Sequence, residues 1–134
     1  MRDDDTIRRV LAQFKDVAVV GLSANPARVS HSATAVVMEH GYRITPVNPR
    51  YSEVFGLTCY PDLLSIPHSI DIVNLFQRPE NVEPFVEQAI TVGAKVIWMQ
   101  LGIVNERAAS RAREAGLDVV MDRCMKLELL RLGH

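Results

Sequence analysis

The chain has 134 residues, with fifteen basic and sixteen acidic side chains and a formal net charge of −1, a length that fits one α/β or α+β domain over residues 1–134 and excludes two full-size domains. A hydrophobic content of 48% excludes collagen and intrinsic disorder, and the balanced charge provides no broad cationic field for nucleic acid or anionic lipid. Two cysteines, Cys59 and Cys124, are too few and too far apart for a disulfide framework or a Cys-rich zinc site.

Met1 to Thr6 is polar and acidic where a signal peptide is apolar, and no run of about 18 apolar residues follows, so a cytoplasmic chain with no membrane partner is expected. Ile7, Val10, Leu11 and Phe14 repeat at helical spacing behind Asp3-Asp4-Asp5, which suits the positive end of a helix. Val17 to Val20 reads as a strand covered on both faces and ends at Gly21. Ser30 to His40 puts Ala33, Val36, Val37 and His40 on one helical face, with Gly41 to end it, and Arg43 to Val47 is the second strand. Residues 48–66 hold prolines, a glycine and polar residues in place of a crossover helix, and read as loop with short pieces. Ile70 to Phe76 is the third strand; Val82, Phe85, Val86, Ala89 and Ile90 mark a helix stopping at Gly93; Lys95 to Met99 is the fourth strand. A helix with an alanine face (Ala108, Ala112, Ala115) spans 105–115, Leu117 to Met121 is the fifth strand, and a closing helix runs from Met125 to Leu132. Strands alternating with helices imply right-handed crossovers, hence a doubly wound sheet of about five parallel strands in three α/β/α layers.

In such sheets ligands bind outside the carboxyl ends of the strands, where strand order reverses. The unusual residues lie there: Gly21 to Ser30 after the first strand, Asn48-Pro49-Arg50 after the second, Gln77-Arg78-Pro79 after the third, Gln100 to Gly102 after the fourth and Asp122-Arg123-Cys124 after the fifth. The opposite edge carries only plain turns at Gly41, Gly93 and Gly116. The first loop reads as an anion cradle, in which Gly21 permits a sharp turn, Ser23, Ser30 and Ser32 surround a helix N-terminus, and Arg28 adds a cationic fork. The plain alternative is that Ser30 caps the helix and Arg28 is a solvated surface residue. Asn48 and Arg50 suit a phosphorylated ribose better than a bare diol, although Asn48-Pro49 alone is an ordinary turn. Phe76 and Arg78 can pack on a ligand and neutralise phosphate, while Pro79 also suits the start of a helix. Gln100 beside Gly102 fits an amide-rich ligand passing close to backbone.

The dinucleotide fingerprint fails, because Ser23 and Pro26 stand where G-x-G-x-x-G needs glycine, and no Walker A loop exists. His31, His40, His68 and His134 share no metal-binding or catalytic spacing; His40 reads as a core or boundary histidine and His31 as the one near the anion cradle. Cys124 follows the fifth strand on the ligand edge, where a buried apolar role competes with that of a nucleophile.

Several motifs together resemble the small stand-alone CoA-binding proteins, whose domain is similar to the N-terminal CoA-binding domain of the succinyl-CoA synthetase α subunit. They are Ala18 to Ser30 (AVVGLSANPARVS), Gly41 to Pro49 (GYRITPVNP), Phe76 to Glu80 (FQRPE), Trp98 to Gly102 (WMQLG) and Val120 to Met125 (VMDRCM). The resemblance implies a Rossmann-like domain holding coenzyme A, with phosphates near Gly21, Ser23, Ala24, Arg28 and Ser30 and the adenosine end near Asn48, Pro49 and Arg50. It further implies contacts around Phe76, Arg78 and Pro79, and a pantetheine arm flanked by Gln100 and Gly102. Gln77 departs from the Phe-Arg-Arg-Pro usual in this family and removes one charge from the site. The synthetase's phosphorylated histidine belongs to a domain outside the resemblance, so the expectation is non-catalytic binding of CoA or acyl-CoA, with a larger enzyme as possible protein partner. The alternative is a thiol-redox or nicotinamide-dependent oxidoreductase using the same cleft.

Overall fold

The computed structural model describes residues 2–133, with side chains from Asp4 to Gly133. Readings placed on Met1, the Asp3 side chain and His134 lie outside the described residues. The chain folds as α1 (Arg2–Gln13), β1 (Asp16–Val20), α2 (Val29–Glu39), β2 (Arg43–Val47), β3 (Glu53–Val54), β4 (Leu57–Thr58), β5 (Ile72–Leu75), α3 (Glu83–Thr91), β6 (Val96–Met99), α4 (Glu106–Glu114), β7 (Asp118–Val120) and α5 (Met125–Leu132). Five strands form one parallel sheet in the order β2-β1-β5-β6-β7, and β3 pairs antiparallel with β4 in a separate hairpin. The result is a Rossmann-like α/β fold. Because β1 lies between β2 and β5, in register Val17 with Ile44 and Val17 with Ile72, strand order reverses at the carboxyl end of β1.

The unbroken apolar strands follow from burial on both faces. Val17 and Val19 pack into a core with Ile7, Val10 and Leu11 of α1, Val37 of α2 and Met125 and Leu129 of α5. Ala18 and Val20 pack oppositely against Val86 and Ala89 of α3 and Ala108, Ala109 and Ala112 of α4. Pro46 sits in β2, at the sheet edge, the position that tolerates a missing backbone donor.

Some local expectations shift. Helix α1 starts at Arg2, so the acidic run lies in its first turn rather than ahead of it. The buried face of α2 is Ser30, Ala33, Thr34 and Val37, and His40 is its C-cap, half-buried with Nδ1 2.8 Å from the Val36 carbonyl. In α4, Ala109 replaces Ala115 on the buried face, because Ala115 is the exposed C-cap. The 48–66 stretch holds the β3–β4 hairpin and a 3-10 turn, Leu63–Ser65, whose N-cap Asp62 accepts the Ser65 N–H.

A candidate binding cleft at the carboxyl edge of the sheet

The loop from β1 to α2 is built by short-range hydrogen bonds. Gly21 has φ +87°, a region that favours glycine, and a Cβ there would collide with the Phe76 carbonyl oxygen. Ser30 is the second residue of α2 and not its cap; its Oγ accepts the Ser23 N–H at 3.0 Å. Ser23 Oγ in turn accepts the Asn25 N–H, and Asn25 Oδ1 the Ala27 N–H, both at 3.0 Å. Arg28 occupies the N-cap position with extended backbone, and its side chain makes no capping bond. The helix therefore opens on the Val29 and Ser30 N–H groups, which meet no acceptor among the described residues. Such groups, with the helix dipole behind them, attract anions.

Single side chains tie neighbouring loops into one rim. Asn48 Nδ2 donates to the Leu22 carbonyl at 3.1 Å while its Oδ1 accepts the Arg50 N–H at 3.0 Å, so one side chain ties the first loop to the second. Asn105 caps α4 through Ala108 N–H and donates to the Pro79 carbonyl at 2.8 Å. Trp98 Nε1 donates to the Arg123 carbonyl at 2.8 Å, and Asp122, with φ +60°, accepts the Gly102 N–H at 2.6 Å. Pro79 begins a short 3-10 turn, Pro79–Asn81, leading into α3.

Two clefts lie inside this rim. One, of about 860 Å³, is lined by Gly21, Arg28, Ser30, Phe76, Arg78, Pro79 and Gln100, together with Val29, Leu101, Ile103, Cys124, Lys126 and Leu127. The other, of about 550 Å³, is lined by Gly21, Ser23, Arg28, Asn48, Pro49, Arg50, Phe76 and Arg78, with Asn25, Tyr51 and Asn81. Gly21, Arg28, Phe76, Gln77 and Arg78 belong to both, so the clefts meet at the switch point. Ala24 and Gly102 line neither: Ala24 is exposed in the loop, and the Gly102 N–H is engaged by Asp122. His31 also lines neither and stacks on Phe55 with ring centroids 4.1 Å apart. The sequence reading missed Val29, Lys126 and Leu127. Their signal was position, in the first turns of helices that start behind β1 and β7.

The electrostatics are one-sided. Arg28, Arg50, Arg78 and Lys126 pair with no carboxylate among the described residues. Gln100 is buried and its Oε1 has no hydrogen-bond partner among the described residues; Asn74 Oδ1, on β5 beneath the rim, is in the same state. Buried polar atoms are rarely left so, and at Gln100 a ligand N–H is a fitting partner. Cys124 is the buried N-cap of α5 and faces the larger cleft. Cys59 is buried elsewhere, its thiol 3.5 Å from the Asn48 carbonyl, and burial pushes its pKa up against a smaller opposing effect of that hydrogen bond. Among the described residues no three His, Cys, Asp or Glu side chains gather as a metal site requires, and no helix is long and apolar enough to cross a membrane.

A doubly wound sheet with unpaired cations gathered at its switch point has the construction of a nucleotide-binding domain. The chain belongs to the CoA binding domain family, whose model matches residues 15–129. It is 40% identical over 121 residues to the YneT protein of Bacillus subtilis (strain 168), covering 90% of each chain. A solved structure of a hypothetical protein from Pyrococcus horikoshii OT3 superposes with a TM-score of 0.94 at 45% identity, over 98% of this chain and 92% of that one. Similarity also reaches an ADP-forming acetate–CoA ligase of Archaeoglobus fulgidus, 25% identical over 121 residues; the match takes in 83% of this chain but 18% of the ligase.

Proposed function

We propose that this chain binds coenzyme A or an acyl-CoA along the two joined clefts and performs no chemistry on it alone. The observation carrying this reading is the junction itself: two grooves meet over Gly21, with Arg28 and Arg78 facing both and without carboxylate partners among the described residues. A diphosphate at the junction would take the open N–H groups of α2 and these guanidinium forks. The adenosine end would then lie toward Asn48, Pro49 and Arg50, with Arg50 available to the ribose phosphate, and the pantetheine arm toward Gln100, whose bare Oε1 accepts an amide N–H. The family match supports CoA as the ligand. Partnership with a larger enzyme belongs to the same reading, supported by the occurrence of similar sequence within ligases.

Thermal unfolding with CoA, dephospho-CoA, acetyl-CoA, NAD, NADP and ATP tests the reading. Ligand at about 100 times its dissociation constant adds about 2.7 kcal/mol, or about 10 °C for a domain of this size. CoA is expected to give that shift and dephospho-CoA less. A shift with NADP and none with CoA replaces the reading with the nicotinamide one. A second reading, thiol exchange, is favoured by the position of Cys124 in the larger cleft. Its thiolate would attack CoA disulfide, forming one mixed disulfide and releasing one CoA thiolate. Mass spectrometry after incubation with CoA disulfide is expected to show an adduct on Cys124 and none on Cys59; an unmodified Cys124 removes that reading.

A further inference from the structure

The larger cleft is more apolar than a pantetheine arm requires. Val29 at the head of α2, Leu101 after β6 and Leu127 on α5 all line it while 66%, 58% and 47% exposed. Ile103 lines it too, and Leu130, one turn beyond Leu127, extends the patch at 56% exposed. Scattered exposed leucines are ordinary, but a cluster bordering one cleft marks a binding surface. The pantetheine arm is an amide chain ending in a thiol; Gln100 meets its needs, and the branched aliphatics beyond do not contribute to them.

We infer that the ligand is an acyl-CoA with an aliphatic acyl group of several carbons, laid across Val29, Leu101, Ile103 and Leu127. This rests on the CoA reading and specifies the thioester end of the same ligand. The direction follows from continuity between the clefts. The polar groove holds Asn48 and Arg50, the apolar one holds the exposed aliphatics, and the residues common to both form the junction where the diphosphate sits. A molecule with its phosphates there therefore sends its nucleoside one way and its acyl end the other. A short carboxylated acyl group would have Lys126 as its cation, Arg28 and Arg78 being taken by the diphosphate, and would leave the aliphatics in water.

The test is a calorimetric series with CoA and acetyl-, butyryl-, hexanoyl- and octanoyl-CoA, on the wild type and a Leu101→Ser/Leu127→Ser double variant. Both positions are exposed, so the variant is expected to fold, and its unliganded thermal unfolding is the check. A partly covered chain gains about two-fold in affinity per methylene, so octanoyl-CoA is expected to bind roughly 50-fold tighter than acetyl-CoA. The double variant should lose at least about five-fold of that advantage, read as its own ratio of octanoyl-CoA to acetyl-CoA affinity so that any change common to the whole series cancels. Normal CoA binding with a flat series overturns the acyl inference and leaves the CoA reading standing; no binding by any member overturns both. A flat series with a wild-type dimer that the double variant converts to monomer in sedimentation assigns the patch to a second copy of the chain and also overturns the inference.

Discussion

The two edges of the sheet treat charge in opposite ways. At the amino edge Arg43 makes a two-pronged contact with Asp16, at 2.6 and 2.9 Å, and Arg9 meets Asp118 at 2.9 Å. Beside them Lys15 lies over the Tyr42 ring and bonds the Leu11 carbonyl, which the Tyr42 hydroxyl also reaches at 2.6 Å. At the carboxyl edge Arg28, Arg50, Arg78 and Lys126 have no carboxylate partner among the described residues, and the backbone opens around them. A chain of net charge −1 thus keeps a local cationic rim, because none of these four cations is matched by a carboxylate among the described residues. Neutralised charge fastens the sheet, and unneutralised charge is available to a ligand.

The strongest way to break this contrast is at the turn that creates the open rim. Gly21→Ala places a Cβ against the Phe76 carbonyl in a backbone conformation unfavourable to alanine. A cost of about 2–4 kcal/mol is expected, together with loss of the CoA-induced melting shift. Chemical denaturation measures the first and the ligand panel the second. A variant with wild-type stability would show that the junction of β1 and β5 is far more yielding than this packing implies.

Next in size is the separation of binding from stability. Arg28→Ala and Arg78→Ala are each expected to weaken CoA by about 10- to 100-fold, the scale of a lost charge-assisted hydrogen bond. Unliganded stability should stay within about 0.5 kcal/mol, as at exposed positions without partners. The affinity should also depend less steeply on salt in either variant. Loss of stability without loss of affinity would place these arginines with Arg43 as fasteners of the fold.

The contrast was legible in the sequence to the extent that it depends on periodicity and on the switch-point rule. Strand β2 and helix α5 lie at 43–47 and 125–132 as their patterns predict, and the odd residues all fall behind strand ends. Hydrogen bonding within loops was not legible. Ser30 looked like a cap, yet the cap falls two residues earlier, at Arg28, which frees Ser30 to hold Ser23. Asn48 was read from its place behind the second strand, and the bonds by which its amide also joins two loops left no mark in the sequence. Val29 and Leu127 were missed because an aliphatic residue in the first turn of a helix carries no sign of which way it faces. Facing is decided by the crossing of α2 and α5 over the sheet, a tertiary property that helical periodicity leaves open when a helix has two buried flanks.

The smallest expected effect tests the other edge. Arg43 holds the Asp16 carboxyl below the ordinary carboxylate range, mainly through their hydrogen bonds and against a smaller effect of burial. A carboxyl depressed by folding stabilises the native state above its unfolded pKa, near 3.8, and that contribution fades as pH falls through the lower native value. Asp16→Asn is therefore expected to lower the melting temperature at pH 7 by about 1–4 °C, as befits an exposed ion pair. The gap between variant and wild type should close as pH is taken well below 3.8. CoA affinity should not change, since Asp16 is at the far end of β1 from Gly21. A variant that matched the wild type in melting but lost CoA would join the two edges electrostatically, and the division of labour between them would have to be abandoned.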